Sequence, residues 1–319
     1  MLNLRFLCLA GFIVLALGSR VHAADNTDYA CKTNADDEIV VLGTRTSLTV
    51  STVRTDDEGE QFNEIVEDTQ GNKGDSCKET PNFYKVKFYR LGLCKSNPYT
   101  ANDFSSCSFM VKSDATNGVT HILTYPATGF LATNSVIEEG NYNFLVLVVS
   151  NYLEQKHYET FSTALYGYGG GFGKVCWTYA SNTSYGGSNI AGVTITAGSP
   201  SDSGSAIRCG NTLDVSTYDY TTEIFETLGG GFDADAQFGD TYVKLLKSDN
   251  ATTASSVNDA KRMMIVLPKV ATVKDDSKFE LSFKLNRSTS FDFSWDSDNS
   301  KLYATKVGAD PFQVTLTVN

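Results

Sequence analysis

From Lys278 to Trp295 the chain reads KFELSFKLNRSTSFDFSW. Phe279, Leu281, Phe283 and Leu285 alternate with Glu280, Ser282, Lys284 and Asn286, and the alternation resumes at Phe291, Phe293 and Trp295. Successive side chains of a strand point to opposite faces, so a period of two implies strands with one buried face. A helix would spread the same residues around its circumference. With the polar RSTS between the two runs, the segment predicts a β-hairpin. The chain ends PFQVTLTVN, where Phe312, Val314, Leu316 and Val318 alternate. Such a terminal strand must be tied into a sheet, its own or a neighbour's.

The same signal recurs upstream. YKVKFYRLGL places Tyr84, Val86 and Phe88 on one face and Lys85, Lys87 and Tyr89 on the other. Phe144 to Val149 is a continuous apolar run, which fits a strand buried on both faces. KVCWTYA sets Val175, Trp177 and Tyr179 at period two, and IAGVTITAG continues the pattern. Sustained helical stripes are missing; Thr222 to Leu228 makes a short helix at most. The expected fold is all-β, built of disulfide-stabilised β-sandwich domains, with one large twisted sandwich as the alternative. The expected division is a leader at 1–23, an acidic amino-terminal extension at 24–80, a first domain at 81–200 and a second at 201–319. A GGGF core shared by ALYGYGGGFG and FETLGGGFDAD hints at equivalent loops in the two.

The leader expectation rests on MLNLRFLCLAGFIVLALGSRVHA, an apolar run after a basic residue that ends in Val-His-Ala. It places the mature chain in a secreted, extracellular or cell-surface setting with no membrane span of its own. The full chain has 26 Lys and Arg against 37 Asp and Glu, a net charge of −11. Losing Arg5 and Arg20 with the leader takes the balance to about −13, which argues against nucleic acid as a partner. Six cysteines then remain: Cys31, Cys77, Cys94, Cys107, Cys176 and Cys209. Export to an oxidising compartment makes them up to three disulfides. Fifteen pairings are open, and pairing of nearest neighbours in sequence is the simplest. No CxxC is present, so a redox pair or a cysteine metal site is not indicated.

Catalytic signatures are sparse. GYGGGFGK lacks the Ser or Thr that follows Gly-Lys in a phosphate-binding loop, and its context is not strand–loop–helix. No GxSxG occurs, and neither His121 nor His157 has a marked partner. The expectation is a protein without enzymatic function and without a cofactor. Asp233, Asp235 and Asp240 are weak calcium candidates, because hard cations take clustered carboxylates on turns, but the spacing is not that of an EF-hand. Tyr166, Tyr168 and Tyr185 flank a glycine-rich loop and could stack on a surface glycan or protein ligand. Asn182, Asn250 and Asn286 head Asn-x-Ser/Thr triplets.

Taken together, these features suggest a self-associating subunit of a cell-surface filament, pilus-like fibre or surface layer. The segment around Val40, Val41, Leu48 and Val50 is a candidate donor strand, and a strand donated to a neighbour's sheet edge is one way to polymerise. Head-to-tail contact is another. A monomeric adhesin or carbohydrate-binding module is the alternative.

Overall fold

The computed structural model describes residues 29–42, 53–55, 61–113, 117–124, 137–184, 207–228, 232–296, 301–309 and 313–318. The leader, Leu48, Val50, Tyr185 and Phe312 lie outside them. Of the described residues 60% are in strands and none in a helix. None of them forms a helix long and apolar enough to cross a membrane.

In chain order the first strands are β1 (Val53–Thr55), β2 (Gln61–Asn63), β3 (Val66–Glu67), β4 (Lys73–Gly74), β5 (Ser76–Glu79), β6 (Phe83–Cys94), β7 (Cys107–Lys112) and β8 (Val119–Thr124). Next come β9 (Gly140–Ser150), β10 (Tyr152–Lys156), β11 (Tyr158–Gly167), β12 (Phe172–Thr178), β13 (Ser181–Ser184), β14 (Ile207–Gly210) and β15 (Thr221–Ile224). The last are β16 (Asp235–Phe238), β17 (Thr241–Leu246), β18 (Arg262–Val273), β19 (Phe279–Lys284), β20 (Thr289–Asp296), β21 (Lys301–Ala309) and β22 (Gln313–Val318).

β6 organises the larger sheet. On one side it carries β7 and then β8; on the other it carries β9 and then β10. Beyond β9 lie β18, β17 and β16, and beyond β10 lie β15 and β13. The apolar run of β9 is central and buried on both faces. Leu145, Leu147 and Val149 belong to one core, and Val146 and Val148 to another on the opposite side. The first core is closed by β19 and β22, whose Leu281, Phe283 and Leu316 join it. Phe283 packs on Phe88 with ring centroids 5.6 Å apart. Burying each such side chain contributes about 1.5–3 kcal/mol. The second core is covered by the 95–106 segment through Tyr99 and Phe104. The Cys94–Cys107 disulfide closes that segment at its base, between directly opposed residues of β6 and β7.

The smaller sheet has the order β14-β12-β11-β21-β20-β5. Phe161 stands edge-on to Phe291 and Phe293, at 5.5 and 5.6 Å, in its core. Cys176–Cys209 joins opposed residues of β12 and β14, and Cys31–Cys77 fastens the amino-terminal segment to β5. That segment is a lid on the core. The Ile39 amide donates to Thr160 O at 2.8 Å, the Ser162 amide donates back to Ile39 O at 2.9 Å, and the Ile39 side chain is fully buried. Ile39→Val is therefore expected to lower stability by about 1 kcal/mol in a urea melt. An unchanged midpoint would show that the lid is no part of the cooperative unit.

The two sheets meet between β10, β15 and β21. Gln155 Nε2 donates to Val307 O at 2.9 Å. The buried Glu223 carboxylate accepts from Lys306 Nζ and from the Ala309 amide.

Several sequence expectations change. β19 and β20 do not form a hairpin: β19 pairs with β22 over six residues, and β20 pairs with β21 and β5. The physical reason is that their apolar faces enter different cores, Leu281 and Phe283 one, Phe291 and Phe293 the other. A turn at Leu285–Ser288, with Arg287 at φ 59°, redirects the chain from one sheet to the other. The division near residue 200 runs through both sheets, because β9 pairs with β18 and β11 with β21. The 24–80 region is not a loose extension: residues 29–42 and 64–79 supply Cys31, Ile39, Ile65, Val66 and Cys77 to the smaller sheet's core. Thr221–Ile224 is a strand rather than the start of a helix. In β12 Cys176 enters the core of the smaller sheet, and Trp177, as expected, is buried too, donating to Thr217 Oγ1 on the other face.

Candidate functional site

Tyr166 and Tyr168 sit where β11 turns into the glycine-rich loop, and both are half-buried. Tyr166 packs on Phe172 at 4.5 Å and on Tyr303 at 5.6 Å, and Tyr168 meets Tyr303 edge-on at 5.4 Å. Lys301 Nζ lies 5.1 Å from the Tyr166 ring centre. The rings thus bind mostly to each other. The loop glycines have a packing reason: Gly171 adopts φ +85°, and a side chain there would run into the Cys209 carbonyl. The loop is a close connection against β14.

The acidic candidates do not converge. Asp235 forms an ion pair with Lys244 at 3.2 Å, and Asp233 accepts the Asp235 amide in a local turn. No group of three or more His, Cys, Asp or Glu that could hold a metal ion occurs among the described residues. Asn250 is buried, with its Oδ1 accepting from Arg262 Nε, so the side chain of this triplet is closed off from solvent. His121 lies on β8 opposite Val86. His157 is buried against Phe291, with Nε2 3.1 Å from Glu159 Oε1.

Another site emerges from the pairing. Thr80, Pro81, Asn82, Phe83, Thr124, Tyr158 and Tyr218 line an open cavity of about 340 Å³. Its wall is Tyr158, 41% exposed, standing edge-on to Tyr218 with centroids 5.7 Å apart. Asn82 holds the wall in place, for its Oδ1 accepts both the Tyr158 amide at 3.1 Å and the Tyr218 hydroxyl at 3.0 Å. With its oxygen engaged, Asn82 has its amide N–H groups left to offer. Burial pushes the Tyr218 hydroxyl far above its ordinary range, reinforced by Tyr158, Tyr220 and Glu159, so it stays a neutral donor. Lys156 Nζ lies 4.3 Å from the Tyr218 ring centre, and Lys85 Nζ lies 4.4 Å from that of Tyr220. Rings, amide and hydroxyl donors and ammonium groups suit recognition of a polar ligand with a flat apolar side.

Next to Thr80 of the cavity lining, Glu79 carries a strongly displaced carboxyl. Desolvation, helped by the charges of Glu159 and Asp37, pushes its carboxyl from 4.5 to about 8, against the pull of backbone hydrogen bonds from Thr80 and Cys31.

The sequence singled out none of Asn82, Tyr158, Tyr218 or Lys156. Lys156 and Tyr158 flank the buried His157 at one junction of strands, while Asn82 and Tyr218 are about 75 and 60 residues away. Only the pairing of β10 with β6 and β15 gathers them. Comparison of the chain with family models, curated proteins and solved structures gave no match.

Proposed function

We propose that this chain is an exported, non-catalytic structural subunit of a cell-surface filament or layer, and that copies join through the larger sheet. The observation that supports this reading is the contrast between two outer edges of that sheet. At one, β7 and β8 have no partner on their outer side among the described residues; Val119 and Ile122 are 44% and 53% exposed, and Lys112 is exposed as well. At the other, β16 is the last strand, with Asp233, Asp235 and Asp240 on or beside it. An apolar, basic edge set against an acidic one continues the sheet from copy to copy, with backbone hydrogen bonds for affinity and charge for polarity. Such a contact is head-to-tail and does not close, so it yields a fibre. The three disulfides suit export.

Donation of the amino-terminal strand finds less support, since Val40 and Val41 lie in the lid that is already paired with β11 and with Val66 of its own chain. The carboxy-terminal strand is likewise occupied, by β19.

Negative-stain electron microscopy of the exported protein tests the reading. Fibres are expected, and Val119→Lys, which adds a charge to the open edge, is expected to abolish them without shifting the melting midpoint. Compact single particles from the unaltered protein would sink it.

A further inference from the structure

Directly opposed residues on neighbouring strands share a face, so the register of β8, β6, β10 and β15 assigns every side chain there to one face or the other. Tyr84, Leu123 and Gln155 point into the core and are buried. The opposite face carries three rows of exposed or half-buried side chains: Thr124–Phe83–Lys156, Ile122–Lys85–Glu154–Thr222 and Thr120–Lys87. The cavity walled by Tyr158 and Tyr218 lies at the end of the first row.

Charge on this face runs against the rest of the chain. Three lysines face one carboxylate, Glu154, which is ion-paired with Lys85. Two further carboxylates lie nearby outside these rows, Glu159 beside His157 and Asp219, which accepts the Tyr220 amide at 2.7 Å. Lys87 and Lys156 have no carboxylate partner among the described residues and rest instead near the rings of Tyr89 and Tyr218. In a chain of net charge −11, a face with two ammonium groups that have no carboxylate partner among the described residues, beside an exposed ring, is a distinctive feature.

We propose that this face binds an acidic polysaccharide. A pyranose ring stacks on Tyr158 in the cavity, its hydroxyls meet the Asn82 amide and the Thr124 hydroxyl, and its carboxylate or sulfate groups face Lys156 and Lys87. The cavity, at about 340 Å³, has room for a sugar residue, and its open side lets a polymer continue across the lysine rows. Exposed aromatic rings give such ligands an apolar platform at low entropic cost, while ammonium groups select the charged polymer and make binding salt-dependent. Self-assembly through the sheet edges is a separate matter, and neither proposal needs the other.

Biolayer interferometry with the full chain immobilised tests it, using polygalacturonate, alginate and dextran sulfate as probes and plain dextran as the neutral control. At least one acidic polymer should bind and dextran should not. Tyr158→Ala should weaken that binding roughly tenfold. Lys156→Gln should weaken it and flatten its salt dependence, and Val119→Lys should leave it unchanged. Tyr158 is partly exposed, and a near-native circular dichroism spectrum checks that its variant folds. Failure of every acidic polymer to bind, equal binding of dextran, or binding indifferent to Tyr158→Ala would each overturn the proposal. So would loss of fibres in Tyr158→Ala with polysaccharide binding intact, because the ring would then belong to a contact between copies.

Discussion

Replacing both Cys31 and Cys77 with alanine is expected to lower the unfolding free energy by about 4 kcal/mol. The disulfide closes a loop of 46 residues, and chain-entropy arguments give about that value for a loop of this length. The shorter loops of Cys176–Cys209 and Cys94–Cys107, 33 and 13 residues, should cost less in that order. Cys31 and Cys77 are also buried with Ile39 and Ile65, so losing the bond loosens the lid over the smaller sheet. Guanidinium unfolding of the three double variants checks the ranking. A change below about 1 kcal/mol for the 31–77 pair would mean that the backbone bonds of residues 39–41 hold the lid by themselves.

Glu79→Gln is expected to stabilise the protein at neutral pH, by about 3 kcal/mol at pH 7. The sign follows from the direction of the shift. A carboxyl whose value is raised from 4.5 to about 8 on folding is held in its protonated form by the native state. Its contribution is fully present below 4.5 and is lost as pH rises towards 8, because the native state must then bury a charge beside Glu159 and Asp37. Glutamine keeps an oxygen for the backbone donors of Thr80 and Cys31 and has no charge to bury. Asp259 works in the opposite sense. Lys247 and the Ser255 hydroxyl hold its carboxyl well below the usual range, so its stabilisation is lost only in strong acid. Melting curves of both proteins at intervals from pH 4 to pH 9 isolate the Glu79 contribution as their difference. The gap should open between pH 5 and pH 8, and a constant gap would refute the assignment.

Much of the class of structure is legible in the residues. Alternation at Tyr84–Phe88 and Phe279–Leu285 marks strands with one buried face; β6 carries Tyr84, Val86 and Phe88 into the core, and β19, which ends at Lys284, carries Leu281 and Phe283 there, with Leu285 just beyond it. The unbroken apolar run of Phe144 to Val149 marks a strand covered on two sides. Alternation carries no address, however. Phe283 and Phe291 look alike in the sequence and enter different cores. The candidate site was hidden for a related reason. Tyr166 and Tyr168 drew notice because they cluster in sequence, yet their rings pack on Phe172 and Tyr303. Tyr158, Tyr218 and Asn82 are scattered, and their convergence depends on which strands lie beside β6.

By itself the sequence determined that this chain is built of strands, which side chains along many of them are buried, and that six cysteines are available as staples. These are local properties, set by the period of apolar residues and by side-chain chemistry. The tertiary structure alone decided which strand pairs with which, that the two sheets exchange strands across residue 200, and where lysines and tyrosines meet on one open face. Backbone hydrogen bonds between strands are the same for nearly every residue, so partner and register are chosen by the fit of whole faces against one another.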